Sequence, residues 1–221
     1  MKEKNIALVT EAGNGLGKTF ADLLLEHNYN VILAACGESY KLLAGKNDFA
    51  AGCELLEVDF TSEARLTELY ERIQSSWGRL DLLVNNAEMV NGFGQKIDQI
   101  KLCEVKALYE INLFAVIRLI QVLKPLLDES MAPKIINITS ALGDINKMTE
   151  EEFCYASYNL TAYATSKAAL NIFTALLQRE LEPSKIRLHT FDPVLMENCT
   201  YNSVVVCNGV KDEFISLITD R

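Results

Sequence analysis

Short apolar runs alternate with longer amphipathic segments along this chain. The apolar runs are NIALVT, NVILAAC, CELLEVD, LDLLVNNA, KIINITS and IRLHTFD. Helical periodicity predicts helices over 15–27, 62–77, 100–127 and 160–181, and a last one within VKDEFISLITD. Runs that are apolar at consecutive positions and separated by helices are typical of a parallel sheet covered on both faces. The pattern therefore predicts an α/β fold, a doubly wound parallel sheet in a three-layer αβα sandwich, with no strand after IRLHTFD.

The residues that follow the apolar runs are the candidate site residues. Ligands of a doubly wound sheet bind beyond the carboxyl ends of its strands, so functional side chains are expected there. These positions are Thr10 to Gly17, Ala35 to Gly37, Asp59, Asn85 to Glu88, Ser140 and Asp192 to Glu197.

Composition favours one globular domain over 1–221, short at its C-terminal end, because 49% of the residues are hydrophobic. The 21 basic and 30 acidic residues give a net charge of -9, which disfavours nucleic acid or an anionic membrane as a partner. No run is long enough to span a bilayer, and MKEKNIALVT lacks a secretory apolar stretch, so a cytoplasmic location is expected. Six cysteines and two histidines show no metal-like spacing, so no metal site is predicted and the thiols are expected to be free and mostly buried.

A tyrosine and a lysine in YATSK, Tyr163 and Lys167, stand four residues apart on a predicted helix and so share one face. Such a pair is common by chance, but here Ser140 ends a strand in NITSALG, Asn112 lies in INLFAVI, and NNA occupies 85–87. Together with the glycines of VTEAGNGLG, this set resembles the short-chain dehydrogenase/reductase family over most of the chain. The spacing between the serine and the tyrosine is similar to that of its carbonyl-reductase-like members.

The resemblance implies a Rossmann-like NAD(P)-binding domain that interconverts a carbonyl and a secondary alcohol on a small organic substrate. It implies Tyr163 as general acid/base, Lys167 beside it, Ser140 on the substrate oxygen and Asn112 in a water-linked proton path. A free phenol has a pKa of about 10, so proton transfer near neutrality requires a nearby cation that favours the phenolate. The cofactor-binding residues that it implies are Thr10, Gly13, Asn14, Gly15, Leu16, Gly17, Asp59, Phe60, Asn86, Ala87, Tyr163, Lys167 and Pro193. As an aspartate that ends a strand, Asp59 is also a common turn former.

Three glycines of the family pattern are replaced in this chain. Glu11 stands in the opening turn, Glu88 follows NNA, and Val194 follows Pro193. Glycine at such positions permits a positive φ or the close approach of a ligand. A carboxylate about 6 Å from a phosphate costs roughly 3 kcal/mol at an effective dielectric of about 20, or on the order of a hundredfold in affinity.

The cofactor is expected to be NAD(H) or NADP(H), and its preference is undecided at this point. Ala35, Cys36 and Asn14 carry neither the acidic residue typical of NAD sites nor the basic residue typical of NADP sites. Glu11 could accept hydrogen bonds from ribose hydroxyls, which would favour NAD.

Two further expectations concern partners and local structure. A homodimer through the helices near 101–127 and 160–181 is expected, and Thr149 is expected to cap a helix that begins in TEEEF. The alternative to an enzyme is a protein of the same fold that binds a nucleotide weakly or not at all and acts as a sensor or protein partner. The replaced glycines favour this alternative, whereas the complete set of Asn112, Ser140, Tyr163 and Lys167 favours the enzyme.

Overall fold

The computed structural model describes residues 4–13, 15–45, 50–153, 155–193 and 208–220. Six strands form one sheet in the order β3-β2-β1-β4-β5-β6, and every neighbouring pair is parallel. The strand order reverses between β1 and β4, which places the ligand crevice at their carboxyl ends. The strands are β1 Asn5–Thr10, β2 Tyr29–Ala35, β3 Cys53–Glu57, β4 Leu82–Asn85, β5 Lys134–Ile138 and β6 Arg187–Phe191.

Helices connect the strands and follow the last one. They are α1 Gly15–Glu26, α2 Gly37–Ala44, α3 Glu63–Trp77, α4 Leu102–Tyr109, α5 Ala115–Asp128, α6 Ile145–Met148, α7 Thr161–Leu181 and α8 Asn208–Thr219. The four long helices predicted from periodicity are confirmed, as is the last helix. The helix predicted over 100–127 is α4 and α5, joined without a break by a π-helical turn, Glu110–Phe114. α2 was not predicted.

Two hydrophobic layers cover the sheet, one on each face. Leu8 and Ile32 point into the layer formed with α3, α5 and α7, while their neighbours Val9 and Val31 point into the layer formed with α1 and α8. This alternation follows from the two-residue period of a strand. Phe20 of α1 stacks on Phe214 of α8 at 4.2 Å between ring centroids, so α8 is anchored in the second layer. The predicted three-layer α/β fold is therefore confirmed.

Two local predictions were wrong. Thr149 does not open a helix but follows the last residue of α6. The residue that caps the start of α6 is Asp144, which accepts a hydrogen bond from the Asn146 amide at 2.9 Å. Cys103 is exposed, and Cys36 and Cys53 are half-buried, so the cysteines that the structure describes are not mostly buried. Within the described ranges, no helix is both long and apolar enough to cross a membrane.

Candidate active site

The segment after β4 is hydrogen-bonded to the turn after β1. Thr10 is buried, and its hydroxyl oxygen accepts hydrogen bonds from the Asn86 amide at 2.9 Å and the Ala87 amide at 2.8 Å. In return, the Asn86 side-chain amide donates to the carbonyl oxygens of Thr10 at 2.9 Å and Glu11 at 3.2 Å. Three of the predicted cofactor-binding residues therefore form one unit at the crevice.

α1 begins directly against this unit, and Gly17 makes the close approach possible. A Cβ at Gly17 would lie 2.5 Å from the Glu11 carbonyl oxygen and 2.6 Å from the Asn86 side-chain nitrogen. Gly15, the first residue of α1, has a left-handed φ of +52° and open space around it. The free amides and the positive dipole end at such a helix N-terminus suit a phosphate group. This turn therefore fits the pyrophosphate of a dinucleotide.

Glu11 has a backbone conformation that favours glycine. Its φ is +54°, in the left-handed region where a side chain is strained. Its carboxylate oxygen Oε1 lies 3.3 Å from the Cys36 amide and 3.5 Å from the Cys36 sulfur, at the end of β2. Burial and the Glu11 charge together raise the pKa of the Cys36 thiol to about 11, so this thiol is protonated at neutral pH.

A cavity of about 350 Å³ lies over the first turn of α1. Among the residues that the structure describes, its walls include two carboxylates, those of Glu11 and Glu88, and no lysine or arginine. The remaining lining residues are Gly15, Leu16, Gly17, Ser39, Leu42 and Asn86.

Tyr163 and Lys167 lie side by side on α7, and both are almost completely buried, at 0% and 1% exposure. The Lys167 ammonium donates to the Ile138 carbonyl oxygen at 3.0 Å and lies 5.6 Å from the centre of the Tyr163 ring. Glu88 bonds to both side chains. Its Oε2 atom is 2.9 Å from the Lys167 ammonium and accepts a hydrogen bond from the Tyr163 hydroxyl at 3.1 Å.

Ser140 caps a 3-10 turn, Ala141–Gly143, at the end of β5, and its hydroxyl oxygen accepts from the Leu142 amide at 3.3 Å. This turn lies directly on α7, because a Cβ at Gly143 would stand 2.7 Å from the backbone carbon of Lys167. The Ser140 turn is thus held beside Lys167.

Asn112 lies in the π-helical turn, and its side chain makes three hydrogen bonds to the protein. Its Oδ1 accepts from the Met89 amide at 2.8 Å, and its Nδ2 donates to the Met89 carbonyl at 3.0 Å and to the Ser166 hydroxyl at 3.0 Å. π-helical turns are frequent at functional sites. Here the turn ties the segment after β4 to α7.

The other predicted residues lie around the same edge of the sheet. The Asp59 carboxylate accepts from the amide and hydroxyl of Thr61 at 2.9 and 2.7 Å, as a turn former does, and these bonds lower its pKa. Phe60 is buried in the core, with 2% of the residue exposed. Gly13 packs against Ser39, and Pro193 follows β6. Asn14 and Val194 lie outside the described residues.

Sequence reasoning missed three contributors to this site. They are Gly143, which lets the serine turn contact α7, Met89, which Asn112 grips through its backbone, and Ser166, which joins Asn112 to α7. Gly143 could have been found from the sequence, since a glycine three residues after a strand-ending serine marks a close approach. The other two contacts join distant parts of the chain and leave no local signal.

The fold and this site define a dinucleotide-binding oxidoreductase on a doubly wound sheet. The family model described as "short chain dehydrogenase" matches residues 5–204, and the chain belongs to this family. It is 30% identical over 197 residues to a Pseudomonas aeruginosa reductase named "Rhamnolipids biosynthesis 3-oxoacyl-[acyl-carrier-protein] reductase", covering 85% of this chain and 71% of that one.

Two solved structures match the fold. The Pseudomonas aeruginosa structure titled "RhlG/NADP active-site complex" has a TM-score of 0.69 and 28% identity, over 87% of this chain and 75% of that one. A 3-ketoacyl-(acyl-carrier-protein) reductase from Brucella melitensis complexed with NADH has a TM-score of 0.74 and 24% identity, over 86% and 75%. The first of these proteins holds NADP and the second holds NADH.

Proposed function

We propose that this protein is an NAD(P)-dependent oxidoreductase that interconverts a carbonyl and a secondary alcohol on a small organic substrate. The observation that carries the proposal is the buried pair Tyr163 and Lys167, held beside the Ser140 turn at the same sheet edge as the glycine turn. A bound nicotinamide would supply or accept the hydride. The cytoplasmic location and the single-domain extent over 1–221 remain predictions.

The residues of the chain would supply the proton and the polarisation. Tyr163 would give its phenolic proton to the carbonyl oxygen during reduction and take it back during oxidation. The Lys167 ammonium would favour the phenolate by its charge. The Ser140 hydroxyl would donate a hydrogen bond to the substrate oxygen as that oxygen gains negative charge. Asn112 would hold the surrounding segments in place.

Backbone amides of the first turn of α1 would hold the pyrophosphate, and Asn86, which is hydrogen-bonded to Thr10, lines the cavity beside it. Tyr163 and Lys167 would contact the other end of the cofactor, next to the substrate. The described part of the cavity wall carries no lysine or arginine, so we expect binding to depend on these backbone groups more than on ion pairs.

The proposal is tested by following the oxidation of NADH and NADPH with a panel of small aldehydes and ketones. We expect carbonyl-dependent oxidation of at least one reduced cofactor and formation of the matching alcohol. The absence of alcohol with every carbonyl, despite measured cofactor binding, would contradict the proposed reaction.

Replacing Glu11 with glycine is expected to remove a preference for NAD(H). The Glu11 carboxylate lies at the end of β2, where it could accept hydrogen bonds from the ribose hydroxyls of NAD(H). It would repel the additional phosphate of NADP(H), and this repulsion would weaken NADP(H) binding by on the order of a hundredfold. Calorimetry should show that the natural protein binds NADH more tightly than NADPH and that Glu11→Gly gains most for NADPH. Glu71→Gln, an exposed change on α3, is the control. Tighter NADPH binding by the natural protein, with a ratio that Glu11→Gly leaves unchanged, would refute the preference.

The homodimer through the long helices is proposed on the apolar side chains that these helices expose. Ile172 and Leu176, one turn apart on α7, are 64% and 60% exposed, and Phe114 at the start of α5 is also exposed. A two-fold interface would pair this face with its own copy. The double change Ile172→Glu and Leu176→Glu should give monomers in light scattering, because like charges would meet across the axis, whereas Ile97→Glu outside these helices should not. A natural protein that is already monomeric would refute the dimer.

One observation favours a second candidate, a nucleotide sensor without turnover. The Glu88 carboxylate lies 2.9 Å from the Lys167 ammonium, so the cation that would favour the phenolate is already paired with a negative charge. Cofactor binding without alcohol formation from any carbonyl would make this candidate the leading one.

A further inference from the structure

Glu88 occupies a position that joins the two reactive side chains of the site. A single oxygen, Oε2, contacts both the Lys167 ammonium at 2.9 Å and the Tyr163 hydroxyl at 3.1 Å. The same residue also lines the cavity over α1. Glu88 therefore stands between the cavity and the pair of side chains that hydride chemistry would require.

The degrees of burial show that the carboxylate is the outer member of this group. The side chain of Lys167 is 2% exposed and that of Glu88 is 30% exposed. A buried ammonium without a counter-charge is costly, so a partner that can approach from the solvent side stabilises it. Glu88 is this partner of the Lys167 ammonium, and its carboxylate also covers the Tyr163 hydroxyl.

The backbone holds Glu88 in this place without strain. Its φ is not among the positive values found in the described residues, unlike that of Glu11. The next residue, Met89, is gripped through both its amide and its carbonyl by Asn112, so the segment is fixed while the Glu88 side chain remains partly exposed. The side chain can rotate away from Lys167 without moving the backbone.

We propose that Glu88 is an internal competitor for Lys167 and Tyr163, whose carboxylate must leave before the nicotinamide half of a cofactor can bind. The inference rests on the proposed function, and it assigns Glu88 as the residue that sets cofactor affinity. The protein without cofactor is then held closed by its own carboxylate, and binding exchanges that carboxylate for the cofactor.

The test compares NADH with ADP, because ADP carries adenosine and the pyrophosphate but lacks the nicotinamide half. Glu88→Ala should tighten NADH binding by about tenfold or more in calorimetry and change ADP binding by less than about twofold. Glu88→Gln, which keeps the size and loses the charge, should show an intermediate gain for NADH. Glu71→Ala, which removes an exposed carboxylate on α3, is the control for net charge and should leave both affinities unchanged. Circular dichroism and thermal unfolding establish whether each variant is folded. If Glu88→Ala does not fold, the comparison of NADH with ADP is made with Glu88→Gln.

The outcomes separate this inference from the proposed function. Unchanged NADH affinity in both folded variants would overturn the competition alone. Equal gains for NADH and ADP would also overturn it, because they would show a general effect of charge. Failure of NADH and NADPH to bind the natural protein and the Glu88 variants would overturn the proposed function together with the inference.

Discussion

Replacing Tyr163 with phenylalanine is expected to lower kcat by about a thousandfold, within the range that general acid–base groups contribute. The change removes the proton donor but keeps the ring, which is fully buried on α7. It also removes a hydrogen bond to Glu88. Because the ring stays in the core, the fold should remain while the reaction slows. The measurement is kcat with a carbonyl from the panel, together with the NADH dissociation constant and the melting temperature.

Tyr70→Phe is the matched control for this prediction. Tyr70 lies on α3 and packs against the layer of the core on that face, away from the Ser140 turn. We expect the kcat of Tyr70→Phe to equal that of the natural protein. A Tyr163→Phe protein that turns over at the natural rate would eliminate Tyr163 as the acid/base, even if cofactor binding were intact.

The change of Gly17 to alanine is expected to lower the free energy of unfolding by about 1–3 kcal/mol, as overpacking does, and to abolish NADH binding. The new methyl would lie 2.5 Å from the Glu11 carbonyl oxygen and 2.9 Å from the Ala12 Cα. Both are backbone atoms, so the turn or α1 must shift to make room. A shift of either displaces the amides that would hold the pyrophosphate. Urea unfolding and calorimetry measure the two effects.

Gly45→Ala is the control for this change. Gly45 lies at the end of α2 with a φ of -71°, and an added Cβ would come no closer than 3.4 Å to the atoms around it. The free energy of unfolding and the NADH affinity of Gly45→Ala should stay near those of the natural protein. NADH binding by Gly17→Ala with natural affinity would contradict the role of this turn.

The fold could be predicted because most of its elements carry strong local signals. The strands are apolar at consecutive positions, and α1, α3 and α7 bury a regular stripe of residues. α2 was missed because Leu43 is its single buried residue, so it has no apolar stripe to detect. The π-helical turn was missed because one added residue in a helical turn hardly changes the sequence period.

The candidate site could be predicted in part. Tyr163 and Lys167 share a helix face by spacing alone, and the place of Glu11 follows from the glycine that it replaces. The direction of the Glu11 side chain, toward Cys36, depends on how closely β1 and β2 end together. The contact of Glu88 with Lys167 joins the end of β4 to the middle of α7, and no sequence period connects these two segments. The replacement of a glycine by Glu88 identified this position in the sequence, but it did not reveal that Glu88 contacts Lys167.

The most direct test of the central claim is a calorimetric titration of the natural protein with NADH and NADPH. We expect both dinucleotides to bind, the NADH dissociation constant to lie in the range of about 1 μM to 1 mM, and NADH to bind more tightly than NADPH. The absence of binding by either dinucleotide would contradict the claim that this chain is a working nicotinamide-dependent oxidoreductase.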